Sequence, residues 1–515
     1  MQDEQTGWTV TLNLPTPSLD DNRADADRLK AALASAFNAD AVDIDLSLLK
    51  KLPARLRKWG YRVRCLCFND YGRLRLVGIK AASDSAPFYG LAVDLGTTRV
   101  VFRLINLDTG EAMAEQAFDN PQIEIGPDIL ERIHYADTEG GLEKLNQLII
   151  KGFQENMDVI CRKADIRKQD IYLLAVAGNT SMGHLFMGLY PGGIIREPYI
   201  PVVNRPGLIA AQSLGIDIHP EACVFIFPNV GSYFGGDLIS GILYSELHER
   251  DEIAMLVDVG TNAEVVLGNR DWLVACAGAA GPALEGGVSR IGMTAGPGVI
   301  DEIRIDPETL AFDVHTIDDQ PPKGICGSGM IDLVAQLFLA GLLDIRGRLV
   351  PDAHPERIYK TDDERRLVIV NAQQSATGEA LTLGQADFDS LIRSKAAMYT
   401  ILETITGYVG VTFNDISRFY VAGTFGSFIR PRSAITIGMI PDLPEDTYQP
   451  LGNSSLGGAA RLLKDQTAMT SAQRIYQNIT YLELNVNQEF MNRFSAAKFL
   501  PHTEADHFPS VKRGI

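Results

Sequence analysis

One short unit occurs twice in this sequence. Asp94-Leu95-Gly96-Thr97-Thr98 and Asp258-Val259-Gly260-Thr261-Asn262 lie 164 positions apart (94 to 258). Each closes an apolar run, Leu91-Ala92-Val93 in the first case and Met255-Leu256-Val257 in the second. Each also opens another, Val100-Val101-Phe102 and Val265-Val266-Leu267. A strand, a glycine turn and a returning strand, repeated whole, marks a duplicated domain better than two chance hairpins would. The residue types narrow the chemistry. Glycine lets backbone N–H groups approach phosphate oxygens, flanking hydroxyls add donors, and an Asp at a strand end can hold Mg²⁺ through water. Two such turns facing each other would clamp one polyphosphate from both sides.

Length and charge limit the alternatives. The chain has 515 residues, 46% of them hydrophobic, which is enough for about three domains. Its formal net charge of −18 opposes a nucleic-acid partner, because phosphate contacts need clustered Lys and Arg. One basic run, Lys50, Lys51, Arg55, Arg57, Lys58, Arg62 and Arg64, is read as a solvated helix face or a surface for an acidic protein. The polar, acidic start and the absence of a long apolar run predict a cytoplasmic chain with no membrane span. Six scattered cysteines (Cys65, Cys67, Cys161, Cys223, Cys276, Cys326) suit reduced thiols, and Cys65 with Cys67 has no second pair to complete a zinc or iron–sulfur set.

The pattern predicts an α/β chain. Residues 1–80 read as a small α+β domain, with a strand near Trp8–Leu14, helices over Asp21–Phe37 and Ser47–Lys58, and a hairpin turned at Asn69-Asp70-Tyr71-Gly72. Residues 81–89 read as a linker, 90–250 as one subdomain, and 251–515 as a second with a C-terminal tail, strands and helices alternating throughout. In the first subdomain a buried strand ends at Gly178-Asn179-Thr180, where Asn179 could position a water. Asp237, beside Gly235-Gly236, is either an N-terminal helix cap or the residue that orients the attacking water. In the second, Gly281, Glu285 and the Gly327-Ser328-Gly329 helix start are candidate nucleotide contacts, as a helix start with free N–H groups binds anions. Gly423, Thr424 and Gly426 would let an adenine ring approach, and Lys395, on a helix from Phe388 to Thr404 capped by Asp387, faces either the nucleotide or solvent.

In this order, the two Asp-Gly-Thr turns, Gly178-Asn179-Thr180 and Val421-Ala422-Gly423 resemble the superfamily of actin, heat-shock chaperones and sugar kinases (ASKHA). More narrowly, the chain resembles the ASKHA-type reductive activators of corrinoid proteins, the RACo-like family. That resemblance rests on Asp258 through Glu264, Ala280 through Gly286, Ile325 through Asp332, Gly452 through Leu456, and the tail from Tyr481 to Pro509. It implies two duplicated ribonuclease-H-like subdomains behind the small domain, which is similar to the family's middle domain. It also implies an ATPase that uses ATP/ADP and Mg²⁺ to support reduction of a Co(II) corrinoid protein to Co(I), the partner being a corrinoid iron–sulfur protein or a methyltransferase corrinoid subunit. Homodimerisation is implied too. The sequence departs from the family pattern in having no ferredoxin-type cysteine spacing, so no iron–sulfur cluster is expected in this chain. The electron is then expected from a separate ferredoxin-like donor or from a longer protein of which these residues are part, the remaining alternative being a branch that has lost the redox role. No Asp-x-His-x-x-Gly cobalamin signature occurs, so the corrinoid is expected only on the partner.

The expected roles are Mg²⁺ binding by Asp94 and Asp258, partly through water, with both also catalytic. Phosphate contacts are expected from Gly96, Thr97, Thr98, Gly260, Thr261 and Asn262. A small-molecule kinase is the alternative, but it needs a catalytic carboxylate, for which only Asp237 is available. An activator of a radical dehydratase would need a cluster-binding cysteine set, and Cys276 and Cys326 do not form one. An actin-like filament is the non-enzymatic reading, decided by sedimentation with ATP.

Overall fold

The computed structural model describes residues 7–232, 234–260, 262–279, 289–361, 364–423, 429–484 and 488–512. They form two compact units, Met1–Glu246 with Ser454–Asn478, and Leu247–Asn453 with Ile479–Ile515.

In the first unit, the N-terminal module is a four-stranded sheet in the order Thr9–Asn13, Arg62–Asp70, Arg73–Ala81, Val42–Ile44, with helices Asp25–Phe37 and Leu46–Lys58. Its central hairpin turns on two residues with positive φ, Tyr71 at 51° and Gly72 at 95°. That pair gives the mirror-image turn that matches strand twist, and Asn69 Oδ1 accepts from the Gly72 N–H at 2.7 Å. The basic run finds its acids inside this chain. Lys51 and Arg55 each reach Glu221 at 3.2 Å, and Arg57 pairs with Asp25.

The main sheet of this unit runs Ala112–Asp119, Arg99–Asn106, Tyr89–Leu95, Ile171–Gly178, Cys223–Ile226, Gly207–Ala210. The first three strands are antiparallel, and the next two run parallel to Tyr89–Leu95. The sheet of the second unit runs Tyr448–Gly452, Arg418–Ala422, Ala254–Val259, Asn262–Gly268, Leu273–Ala279, Ile479–Tyr481. Its directions repeat the first sheet: an antiparallel trio from Ala254 to Ala279, then two strands parallel to Ala254–Val259. With the edge strands Gly207–Ala210 and Ile479–Tyr481 set aside, both sheets read 3-2-1-4-5 in chain order. The expected duplication of a ribonuclease-H-like subdomain therefore holds in strand order and direction.

The continuous apolar runs have their cause in this arrangement. Tyr89–Leu95 is buried throughout except at Asp94, and Ile171 to Ala177 are all buried, as strands covered on both faces require. The second unit departs from simple alternation. It carries two three-stranded sheets, one of Phe312–Thr316, Val299–Ile305 and Gly324–Ile325, the other of Ile358–Lys360, Arg365–Val370 and Leu381–Gly384.

Helix Ser454–Lys464, which follows the last strand of the second sheet's parallel set, packs in the first unit against helix Gly236–Ser245. The approach is close enough to demand glycine. A Cβ on Gly458 would run into the Ser240 carbonyl, and one on Gly457 would lie 2.6 Å from the Tyr244 ring. Ser240 Oγ donates to the Ser455 carbonyl at 2.7 Å, and Trp8, buried in the N-terminal module, donates from its indole N–H to Leu462 O at 2.8 Å. The helix that carries Asp237 is thereby fixed from outside its own stretch of chain.

Candidate functional site

In the first unit the repeated turn lies at the carboxyl end of the central strand, where open α/β sheets place their ligand sites. Asp94 pairs with Ala177 across the parallel ladder and Leu95 with Gly178, so Asp94 is level with the strand end that leads into Asn179. Asp94, Gly96 and Thr97 are half-buried and Thr98 is exposed. A Cβ at Gly96 would run into the Arg99 carbonyl, so the tight reversal accepts only glycine there.

Two asparagines hold the turn. Asn120, 1% exposed, donates from Nδ2 to Gly96 O at 3.0 Å and from its backbone N–H to Thr98 O at 2.8 Å. Asn179 donates from Nδ2 to Thr97 Oγ1 at 3.0 Å, while its Oδ1 accepts from Met182 N at 2.9 Å as the N-cap of helix Thr180–Met187. Such a cap is worth about 1 kcal/mol, so the geometry of Asn179 is set by helix formation as well as by the turn.

Asp237 belongs to the same cluster. Gly235 is the N-cap of helix Gly236–Ser245, and Asp237 is in the first turn, half-buried. A Cβ on Gly235 would collide with Asn179 Cα and lie 2.6 Å from both Gly178 O and Asp237 Oδ1. The loop before Asp237 and the start of the Asn179 helix thus touch backbone to backbone. The structure brings together Asp94, Gly96, Thr97, Thr98, Asn179 and Asp237 at one end of one sheet.

The second unit repeats the plan. Asp258 and Gly260 are half-buried, and Asp258 pairs with Ala422 in the parallel ladder, as Asp94 does with Ala177. Gly423 follows with φ of 83°, and its Cβ, if present, would lie 2.8 Å from Val259 O and 2.9 Å from Asp258 Oδ1. Val176-Ala177-Gly178 and Val421-Ala422-Gly423 therefore occupy equivalent places, one strand over from equivalent aspartates. Asn262 begins the returning strand Asn262–Gly268. Thr261, Gly281, Glu285, Thr424 and Gly426 lie outside the described residues.

Gly327, Ser328 and Gly329 open helix Gly327–Leu339, all three buried, with Cys326 as N-cap. Cys326 Sγ is 3.1 Å from Ser328 Oγ, and a Cβ on Gly329 would run into Ile300 O. Asp332, one turn on, fixes this helix start. Its carboxylate accepts from Ile303 N at 2.8 Å, Ser433 Oγ at 2.5 Å and Arg430 Nη1 at 3.3 Å.

With this geometry in view, three family models match the chain: "C-terminal domain of RACo the ASKHA domain" over residues 252–512, "RACo middle region" over 89–250, and "RACo linker region" over 7–85. The chain belongs to the RACo family. This RACo-family chain is 30% identical over 424 residues to the corrinoid activation enzyme RamQ of Eubacterium limosum, across 81% of this chain and 71% of that protein. It is 23% identical over 441 residues to the [Co(II) methylated amine-specific corrinoid protein] reductase of Methanosarcina barkeri, across 78% of this chain and 75% of that one. A solved structure of a reductive activator for corrinoid, iron–sulfur protein superposes with a TM-score of 0.87 at 38% identity, covering 99% of this chain and 82% of that one.

Within the RACo frame the N-terminal module, read from sequence as similar to the family's middle domain, matches the linker region, and the middle region is residues 89–250. Lys395 also needs correction. It is wholly buried on helix Gln385–Val409, neither in solvent nor open to a nucleotide. Its Nζ donates to Phe499 O and Pro501 O, both at 2.6 Å, and to Gly438 O at 3.5 Å, and burial holds its pKa well below the usual lysine range. It is a clip for the C-terminal tail. Asp387, expected as the cap, is the third helical residue and accepts from Gly384 N at 2.8 Å.

Sequence reasoning missed Asn120 as a holder of the RACo turn. The signal was present in Asp119-Asn120-Pro121, because an asparagine ahead of a proline favours a turn. All six cysteines are buried free thiols, and burial pushes Cys161 and Cys223 up to about 11. Among the described residues no helix is long and apolar enough to cross a membrane.

Proposed function

We propose that this RACo-family protein is an ATPase that supports reduction of an inactive Co(II) corrinoid protein to Co(I). The observation that carries the reading is the repeated placement of Asp94 and Asp258, each at the carboxyl end of the first strand of a 3-2-1-4-5 sheet. Each is followed by a glycine turn and flanked by an Ala-Gly strand end. Family membership and the named activities of RamQ and the methylated-amine reductase support the corrinoid partner.

The donor set suits a nucleotide with Mg²⁺. Half-buried carboxylates beside glycine turns that a Cβ would fill are oxygen donors of the kind Mg²⁺ takes. Asp94 and Asp258 would hold the ion, partly through water, and it would neutralise phosphate charge as the terminal bond breaks. Gly96, Thr97, Thr98, Gly260, Thr261 and Asn262 would donate to phosphate oxygens, with Gly327, Ser328 and Gly329 as a helix start available to an anion. Asn179 holds the Thr97 hydroxyl in place, and Asp237 orients the attacking water. No residue of the chain then needs to accept the phosphoryl group, and the binding energy goes into conformational change at the partner.

The electron would come from an iron–sulfur group held elsewhere, since the cysteines of this chain are dispersed, buried thiols. The corrinoid would stay on its own protein, and the activator would work in the cytoplasm as a homodimer. The proposal is tested by Asp94→Ala and Asp258→Ala, each expected to abolish ATP hydrolysis with the circular dichroism spectrum unchanged. Near-wild-type turnover in either variant would sink it.

A further inference from the structure

A histidine with no part in the proposed chemistry closes a ring of hydrogen bonds that includes Thr180, the neighbour of Asn179. His184, fully buried, lies on helix Thr180–Met187, one turn beyond the Asn179 cap. Its Nδ1 is 2.7 Å from the Thr180 carbonyl, an oxygen that can only accept, so Nδ1 carries the hydrogen. Nε2 is left with a lone pair, and it accepts from Val202 N at 3.1 Å and Val203 N at 3.4 Å. Burial holds the ring below the usual histidine pKa, which keeps that lone pair free of a proton.

From Val203 the ring continues through the next residue. Asn229 donates from its backbone to Asn204 O at 2.9 Å and from Nδ2 to Asn204 Oδ1 at 2.7 Å. It closes where Thr180 Oγ1 donates toward Gly231 O at 3.3 Å and Phe234 O at 3.2 Å. Ser232 Oγ adds a rung to Tyr199 O at 2.5 Å. The ring therefore holds the Asn179–Thr180 pivot, which orients Thr97, against the loop that delivers Gly235 and Asp237. His184 is the one side chain in it that must be in a defined tautomer.

We infer that His184 is a positioning residue, fixing Asn179 and through it the Thr97 hydroxyl relative to Asp237. The inference deepens the proposed nucleotide reading and rests on it for its kinetic consequence. Its geometric part stands without nucleotide.

Two variants separate positioning from simple packing. His184→Gln keeps an acceptor long enough for Val202 and Val203, whereas His184→Asn is too short to reach them. The first readout is amide hydrogen exchange at Met182, the N–H that Asn179 caps, without nucleotide. It is expected to be ten-fold or more faster in H184N and within three-fold of wild type in H184Q. The second is ATP hydrolysis: H184N lowers kcat/KM about ten-fold, Asn179→Ala does the same, and the double variant is no worse than either single one.

The inference is overturned if Met182 exchanges in H184N as in wild type, or if H184N and H184Q behave alike. It is also overturned if the H184N and N179A effects multiply to about a hundred-fold, as independent sites would give. A wild type that hydrolyses no ATP but shows the expected exchange pattern would remove the nucleotide reading and leave the positioning intact.

Discussion

Replacing Gly423 by alanine tests the second turn at its tightest point. Two costs follow from the geometry. At φ of 83° a residue with a Cβ is in the left-handed region, which costs about 1–2 kcal/mol. The new methyl would also lie 2.8 Å from Val259 O and 2.9 Å from Asp258 Oδ1. The first of these is backbone and cannot swing away, so overpacking adds about 1–3 kcal/mol. The total, roughly 2–5 kcal/mol, should lower the melting temperature of the second unit by about 5–15 °C. Gly410 is the built-in control. It has φ of 75° with nothing within 4 Å of its would-be Cβ, so Gly410→Ala should cost only the conformational part. Differential scanning calorimetry gives the stability difference and titration with a fluorescent ATP analogue gives affinity, expected to fall at least ten-fold in G423A and to hold in G410A. Equal destabilisation of the two variants would refute the close approach. Unchanged nucleotide affinity in G423A would refute the place given to this strand end in the site.

Two further substitutions probe the first unit. Asn120→Ala removes the 3.0 Å side-chain partner of the Gly96 carbonyl and the Oδ1 that accepts from the buried Gln122 N–H at 3.0 Å, and should cost about 1–3 kcal/mol in urea denaturation while weakening ATP binding. Full stability would remove Asn120 as the turn's holder. His219, stacked on Tyr172 at 3.9 Å, is pushed down from 6.5 to about 4 by burial. The unfolded chain therefore binds the extra proton between those values, and stability falls as pH drops through that window. Allowing for partial solvation, His219→Gln should flatten that acid limb by about 1–3 kcal/mol, and an unchanged pH profile of unfolding would contradict the assignment.

The turns were legible because their chemistry is local: Asp, Gly and Thr within five positions of a buried strand carry the signal themselves. The repeat pointed to a duplicated domain, and its ribonuclease-H-like plan came only with the family resemblance. What sequence could not carry was long-range. Lys395 looks like any helical lysine, and only the fold brings the carbonyls of Phe499 and Pro501 to it from over a hundred positions away. The return of Ser454–Asn478 to the first unit is equally non-local, although Gly457-Gly458 marks the contact once the partner helix is known. Asn120 and His184 went unread for a different reason. Each acts on backbone atoms far along the chain, so although Asn120-Pro121 marks a turn, no residue type identifies the backbone groups that either side chain holds.

The central claim is that nucleotide turnover at the paired aspartates supports corrinoid reduction. Its most direct test mixes the protein with a Co(II) corrinoid protein and a low-potential electron donor, and follows Co(I) by absorption with and without Mg-ATP. The account predicts Co(I) formation that depends on ATP and is lost in Asp94→Ala and Asp258→Ala. An equal yield of Co(I) without ATP, or no Co(I) with ATP across candidate corrinoid partners, would contradict it.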